Sequence, residues 1–323
     1  MSGPSIVVTR RWPQAVEDQL RARFRCVSLN ESDVPLGEAG LHAALREADV
    51  VLPTVSDRLP AELFEGGVRT VFLGNFGVGH NHIDVEAASR AGVVVTNTPG
   101  VLTDATADTA MTLLLMAARR AGEGEREVRA GGWTGWRPTH MLGTHVTGRT
   151  LGVIGMGRIG CAVARRARFG FGMPILYFDT QDVGPDRHGI PDARRLDTVE
   201  EVLESADFVS LHMPGSADNA HLVDAARLSR MKPTAILVNT ARGDVVDTDA
   251  LVKALASGTI AGAGLDVYEN EPDVPEALRA LPNVVLLPHL GSATVETRVA
   301  MGMLVLENLE AFLDGREPPC RVC

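Results

Sequence analysis

Arg242, Glu271 and His289 are the residue types that carbonyl reduction and its reversal require, and each falls just past the end of a short apolar segment. Arg242 stands in Asn239-Thr240-Ala241-Arg242-Gly243, after Ile236–Val238. A planar guanidinium can grip a carboxylate or 2-keto acid with two parallel hydrogen bonds, which a lysine would not do. His289, in Pro288-His289-Leu290-Gly291, follows Val284–Leu287. Imidazole changes charge near neutral pH, so it can give a proton to a developing alkoxide and take one back. Glu271 lies in Asp266-Val267-Tyr268-Glu269-Asn270-Glu271-Pro272. A carboxylate against the imidazole would orient the ring and favour its charged form. Singly, each has a plainer explanation: an ion pair at a helix edge, a surface acid, a histidine capping a turn. On spacing alone Glu269 competes with Glu271.

The sharpest local motif is Gly155-Met156-Gly157-Arg158-Ile159-Gly160, between the strand-like Leu151–Ile154 and a helix striped with Ile159, Val163 and Ala167. The first glycine permits a tight turn, the second lets backbone approach a pyrophosphate, and the third lets helix and strand pack closely. The helix N-terminus then offers N–H groups and a positive dipole end to phosphates. Asp179 ends the next apolar segment, roughly 20 residues on, where a carboxylate holds the ribose hydroxyls of a dinucleotide. That carboxylate would repel the 2′-phosphate of NADP, no arginine follows it directly, and Asp182 adds negative charge. NAD is therefore the expected cofactor, with NADP second. Arg187, the nearest downstream arginine, reads as a solvated loop residue. His212, in His212-Met213-Pro214, reads as cofactor-pocket wall rather than proton donor. A second glycine-rich turn, Gly74-Asn75-Phe76-Gly77-Val78-Gly79, can point successive N–H groups at an anion. An anionic substrate held between this turn and Arg242 would require a cleft between two lobes.

Elements that could position these groups alternate along nearly the whole chain, which indicates an α/β protein with parallel sheets. In the first hundred residues the strand candidates are Ile6–Val8, Val50–Leu52, Val71–Leu73 and Val93–Thr96, with helices over Pro13–Phe24, Leu41–Ala48 and Val85–Ala91. A second series holds six strands: Leu151–Ile154, Ile175–Phe178, Phe208–Leu211, Ile236–Val238, Ala261–Leu265 and Val284–Leu287. That number suits the two halves of a dinucleotide-binding sheet. Thr198-x-x-Glu201 is a capping box, and a helix near Asp249 to Ala256 stops at Gly258. Long helices over Asp104 to Ala118 and Val295 to Leu313 flank the second series and could cross between lobes. The expected organisation is a discontinuous first lobe, residues 1–98 with 291–323, and a dinucleotide-binding lobe over residues 99–290. Gly122 to Thr150, rich in Gly and Arg, reads as an arm or extended loop, about residues 120–148.

The 323 residues are 45% hydrophobic and 22% charged, enough for a substantial core. A net charge of -10 disfavours a nucleic-acid binder, which needs a basic face. No apolar run approaches the roughly 20 residues that cross a bilayer. No signal peptide is legible, and the four cysteines suit a reducing cytoplasm. Cys320-x-x-Cys323 has no second pair for a metal and reads as part of a loose terminal tail. No metal is expected.

Taken together, these motifs resemble the D-isomer-specific 2-hydroxyacid dehydrogenase family over nearly the whole chain. The glycine motif, Ala241-Arg242-Gly243, Gly264-Leu265-Asp266-Val267-Tyr268-Glu269-Asn270-Glu271-Pro272 and Pro288-His289-Leu290-Gly291-Ser292-Ala293 carry the resemblance. It implies a two-lobed α/β fold, a Rossmann domain plus a flavodoxin-like substrate domain. It also implies that Arg242, Glu271 and His289 are the catalytic set, choosing Glu271 over Glu269. Val78 and Gly79 would offer backbone to a substrate carboxylate that Arg242 and His289 also bind. Thr103, Gly155, Gly157, Arg158, Ile159, Gly160, Asp179, His212, Met213, Pro214, Thr240, Ala241, Asp266 and Gly291 would line the cofactor, with Asp266 near the nicotinamide amide. Within the family the chain looks most like the glyoxylate and hydroxypyruvate reductase branch, through Gly132-Trp133-x-x-Trp136-x-Pro138, Met141-Leu142-Gly143 and Gly148-Arg149-Thr150-Leu151-Gly152. In that branch the arm crosses to a second subunit, so a homodimer is implied and Trp136 would line the neighbour's substrate pocket. Asn81 replaces an Asp of many relatives. NADP-using relatives carry a basic residue near the end of the second strand, where this chain is acidic. Alternatives to glyoxylate or hydroxypyruvate reduction are a dehydrogenase for a sugar-derived or bulkier 2-keto acid, and a non-enzymatic NAD-sensing protein like the corepressors of this fold.

Overall fold

In a computed structural model, which describes residues 3–323, the described chain divides into two compact units, one running to Leu102 and resuming over Ala293–Cys323, the other Thr103–Ser292. The first unit opens with β1 (Ser5–Val8), α1 (Gln14–Arg23), β2 (Cys26–Leu29), α2 (Gly37–Glu47), β3 (Val50–Leu52), β4 (Phe72–Gly74), α3 (Val85–Arg90) and β5 (Val94–Thr96). The second contains α4 (Thr103–Ala118), α5 (Ala121–Arg129), β6 (Leu151–Ile154), α6 (Arg158–Phe171), β7 (Ile175–Phe178), α7 (Pro185–His188), β8 (Arg194–Arg195), α8 (Val199–Ser205) and β9 (Phe208–Leu211). It continues with α9 (Ala225–Leu228), β10 (Ile236–Asn239), α10 (Thr248–Ser257), β11 (Gly262–Leu265), α11 (Glu276–Arg279) and β12 (Val284–Leu286). Helix α12 (Val295–Leu313) then returns to the first unit, where it packs on β4 and α1.

Every strand pairing between these elements is parallel. The first sheet runs β2-β1-β3-β4-β5 and the second β12-β11-β10-β9-β6-β7-β8. The first is the flavodoxin-like order, and the second is the dinucleotide-binding order with one further strand at its β12 edge. The central strands are continuous apolar runs because helices cover both faces of a parallel sheet. Thus β3, β6, β9, β10 and β11 are buried at every residue.

The helix signals act as their chemistry requires. Thr198 accepts the Glu201 N–H at 3.2 Å, while the Glu201 carboxylate turns back to the Asp197 N–H at 3.0 Å. Asp247 accepts the Ala250 N–H at the start of α10, which ends on Gly258 at φ 73°. Gly302 of α12 faces Val16 so closely that a Cβ there would lie 2.6 Å from a valine methyl. Among the described residues no helix is long and apolar enough to cross a membrane.

Four readings need correction. β2 was not among the expected strands: it lies at the sheet edge, with Cys26 and Ser28 exposed and Val27 and Leu29 only half-buried, so Ser28 breaks its apolar run. β8 consists of two exposed arginines with no such signal at all. The segment read as arm or loop begins with the helix α5. The terminal tail is not loose. Arg321 bridges Thr96 in antiparallel sense, Val322 donates to the Val95 carbonyl at 2.7 Å, and the Cys320 N–H is held by Asn308 Oδ1 at 2.8 Å. The tail covers the otherwise open edge of β5, satisfying its backbone groups.

Asp49, at the entry to β3, accepts from Arg69, from the Ser5 N–H and from the Ser5 hydroxyl, and those bonds hold its carboxyl down at about 2. A depressed folded pKa contributes stability that is complete above the ordinary Asp value and is lost as pH falls towards 2. Asp49→Asn should lower the urea midpoint at pH 7, and the gap from the parent should close as titrations are repeated from pH 5 down to pH 2.

Candidate active site

The three glycines of the motif after β6 do three different jobs. Gly155 has φ 92°, and a Cβ there would press to 2.7 Å on the His212 carbonyl carbon, so the loop runs hard against the turn His212–Met213. At Gly160 a Cβ would overlap the Gly155 carbonyl. Gly157, the N-cap of α6, faces open space, and no side chain caps the helix there. The helix N-terminus is therefore left for an anion to satisfy. Arg158 is exposed and Ile159 half-buried on its first turn. Asp179 follows β7, and its Oδ2 accepts the Met156 N–H at 2.7 Å, which ties the carboxylate to the glycine loop.

Beyond β9, the His212 ring meets the Ser210 hydroxyl at 2.8 Å. Burial pushes its imidazole down to about 3, so it stays neutral and is unsuited to proton donation near pH 7. Pro214 is exposed beside half-buried Met213. The hydroxyl of Thr240 is buried without a partner among the described residues, next to buried Ala241. A buried unpaired hydroxyl is costly unless a ligand or water meets it. Thr103 opens α4, half-buried. Open backbone at Gly157, an uncapped helix end, a carboxylate at the tip of β7 and an orphaned hydroxyl at Thr240 together fit a dinucleotide.

The loops after β10, β11 and β12 converge. Gly243 lies so close to Tyr268 and Glu269 that a Cβ would overlap the Tyr268 carbonyl, so only glycine lets the Arg242 loop pass the Glu271 loop. Asn239 shapes the first loop, accepting the Ala241 N–H at 2.9 Å and donating to the Arg242 carbonyl at 2.8 Å. Arg242 is half-buried, and its Nη1 donates to the Ala241 carbonyl at 2.7 Å. Burial lowers its pKa, with the charges of Glu271 and Asp244 opposing. Glu271 spans the other two loops: one oxygen accepts the Tyr268 N–H at 2.9 Å, the other meets His289 Nδ1 at 2.8 Å. Burial works to raise the Glu271 carboxyl, but the His289 hydrogen bond and charge, the Tyr268 N–H and the Arg242 charge outweigh it and leave it lowered. Glu269 is engaged elsewhere, with His221 at 2.9 Å.

The turn carrying His289 is itself held. His289 adopts φ 56°, in the left-handed region that side chains rarely enter. Asp266, 1% exposed, accepts the N–H groups of Leu290 at 2.6 Å and Gly291 at 2.7 Å, and Thr106 donates to the Gly291 carbonyl at 3.1 Å. Tyr268 donates its hydroxyl to the Leu287 carbonyl at 2.8 Å. These positioning groups lie 19 to 185 residues from their partners in sequence, and only Asp266, directly after β11, was marked by its place at a strand end.

In the first unit, the turn after β4 points its carbonyls inward. Asn75 Nδ2 donates to those of Gly77 and Gly79, and Asn97 Nδ2 to that of Val78. The N–H groups of Val78 and Gly79 meet no acceptor among the described residues. Such a turn can receive a carboxylate. Trp136 is 83% exposed, with Trp133 and Leu142 also exposed on the same arm.

A parallel sheet in dinucleotide-binding order, a glycine turn feeding an uncapped helix and an imidazole–carboxylate pair beside an arginine define a dinucleotide-dependent oxidoreductase. Residues 111–291 match the model of the D-isomer specific 2-hydroxyacid dehydrogenase NAD binding domain. The chain is 46% identical to a glyoxylate reductase of Thermococcus onnurineus, over 99% of this chain and 96% of that one. It is 45% identical to the glyoxylate reductase of Pyrococcus furiosus, over 99% and 95%. Among solved structures, an NADPH-dependent glyoxylate/hydroxypyruvate reductase of Sinorhizobium meliloti with bound NADP and malonate superposes with TM-score 0.87, 39% identity and coverage of 99% and 97%. A Thermus thermophilus protein does so with TM-score 0.90, 44% identity and coverage of 99% and 100%. The chain belongs to the D-isomer specific 2-hydroxyacid dehydrogenase family, as its sequence motifs predicted.

Gly243→Ala should force the Arg242 and Tyr268–Glu271 loops apart. A stability loss on the order of 2 kcal/mol is expected from the overpacking, with turnover down about 100-fold from the misplaced guanidinium. Denaturant titration and steady-state kinetics on the same preparation check both.

Proposed function

We propose that this chain reduces glyoxylate and hydroxypyruvate with NADH, yielding glycolate and D-glycerate. The 2.8 Å bond between His289 Nδ1 and Glu271, on a loop packed against that of Arg242, is the observation that carries the reading. The glyoxylate reductases it resembles at 45–46% identity support the substrate class.

The residues act as follows. Arg242 grips the substrate carboxylate and polarises the 2-keto oxygen, its desolvated charge strengthening that hold. His289, with Nδ1–H directed at Glu271, presents Nε2 to the keto oxygen and gives up its proton as the alkoxide forms. Glu271 fixes the tautomer and stabilises the imidazolium, and Asp266 keeps the turn beneath it. When bound, the dinucleotide supplies the hydride that adds to the 2-carbon. Gly155, Gly157, Arg158, Ile159 and Gly160 would hold its pyrophosphate, and Asp179 its ribose. His212, Met213, Pro214, Thr240, Ala241, Asp266, Gly291 and Thr103 would line the remainder. The Asp179 carboxylate favours NADH over NADPH. A second copy of the chain suits the exposed arm, with Trp136 entering the neighbour's substrate pocket.

A panel of glyoxylate, hydroxypyruvate, pyruvate and sugar-derived 2-keto acids, each with NADH and NADPH, tests this reading. Turnover with the first two and NADH is expected. NADH binding without turnover of any acid would mark a sensor instead. His289→Ala should lower kcat by a factor on the order of 10²–10⁴ while the NADH dissociation constant stays within a few-fold.

Glu271 orients the His289 ring through Nδ1, so Glu271→Gln should lower kcat in both directions by a factor on the order of 10–100 while the NADH dissociation constant stays within a few-fold. Steady-state kinetics in both directions check this, and an unchanged kcat would contradict the pairing.

A further inference from the structure

Arg195 is not adjacent to Asp179 in sequence. It lies 16 residues further on. The short strand β8 nevertheless brings it back, pairing Leu176 with Arg194 and Tyr177 with Arg195. Its Nη2 donates to the Asp179 carbonyl at 2.9 Å. Asp179 thus has opposite charges about it. Its own carboxylate is turned to the glycine loop, with Oδ2 on the Met156 N–H at 2.7 Å and Oδ1 on the Gln181 N–H at 2.9 Å. Its carbonyl holds a guanidinium that is exposed and forms no ion pair among the described residues. One of the five guanidinium N–H groups is used in that bond, and the other four face no acceptor there. Other charges nearby are mixed: Asp182 is exposed on the loop after β7, Asp186 and Arg187 on the short helix α7, and Arg158 on the first turn of α6.

The two charges read a ribose in opposite senses. A 2′-hydroxyl can donate to the Asp179 carboxylate, whereas a 2′-phosphate is repelled by it. A planar guanidinium with free N–H groups is the side chain best matched to phosphate. We propose that Arg195 is a specificity-determining residue, a phosphate-binding group held beside the adenosine ribose position that gives the site a capacity for 2′-phosphorylated dinucleotides which Asp179 suppresses. The inference rests on the glycine turn and Asp179 binding the adenosine half of a dinucleotide. It adds that acceptance of NADP is set by the balance of two residues, and that removing the acid alone uncovers a phosphate site already built.

Isothermal titration of the full chain with 5′-AMP and with adenosine 2′,5′-bisphosphate tests this without turnover. The parent should prefer 5′-AMP. Asp179→Asn should bind the bisphosphate at least about tenfold more tightly than the parent does. Adding Arg195→Ala to that variant should remove the gain, and Arg195→Lys should retain part of it. Arg195→Ala alone should leave 5′-AMP affinity within about twofold, because that ligand lacks the 2′-phosphate. An equal gain with and without Arg195 would overturn the proposal, and so would loss of 5′-AMP binding in Arg195→Ala. A parent that prefers the bisphosphate would instead overturn the preference for NAD. If that preference vanished on Arg195→Ala, the role of the arginine would stand.

Discussion

A carboxylate held against an imidazole is the constraint from which the chemistry of this chain follows. Glu271 meets His289 Nδ1 at 2.8 Å, so the opposite ring nitrogen is the one left to exchange a proton with substrate. The pair works only if neither partner can turn away. Glu271 is fixed through its second oxygen by the Tyr268 N–H. His289 is fixed through its backbone, at φ 56°, by the two hydrogen bonds that Asp266 accepts from the next two residues. A left-handed conformation at a non-glycine residue costs on the order of 1–3 kcal/mol and persists only where its surroundings over-determine it. Two charge-assisted bonds to a buried carboxylate are such surroundings.

The sheet supplies the rest by placing strand ends side by side. β10, β11 and β12 are neighbours, so the loops that follow them must share one edge. How near they come is decided by glycine. Gly243 lets the Arg242 loop touch the Tyr268 backbone, and Gly264 lets β11 seat against Leu113 of α4, where a Cβ would lie 2.8 Å from the Leu113 Cβ. The same economy operates at the other half of the sheet, where Gly155 lets the cofactor loop rest on the turn at His212. Close packing of backbone on backbone places the reactive side chains, and helix α6 turns its uncapped end to the place where phosphates are expected.

Much of this was legible in the sequence, for identifiable reasons. Continuous apolar runs let β6, β7 and β9 be read to the residue, β6 and β9 because both faces are buried and β7 although its residues are buried only alternately. Of the four edge strands, β5 and β12 carry apolar runs and were legible, whereas β2, half exposed, and β8, a pair of arginines, were not. The docked tail was missed because its order comes from hydrogen bonds to β5 and Asn308, which leave no local pattern. Arg242, Glu271 and His289 stood out as reactive types after strands, yet spacing alone could not separate Glu269 from Glu271. The structure separates them by partner, His221 for the first and His289 for the second. The roles of Asp266, Thr106 and Tyr268 in shaping the histidine turn depend on contacts between distant segments, which a single sequence does not display.

The tautomer of His289 tests the central claim most directly. Nitrogen-15 NMR of histidine-labelled protein, assigned by comparison with His289→Gln, reads which ring nitrogen carries the proton in the neutral state. The pairing with Glu271 predicts Nδ1–H with Nε2 bare, and a shift away from that form in Glu271→Gln. A neutral His289 protonated at Nε2 in the parent protein would contradict the account.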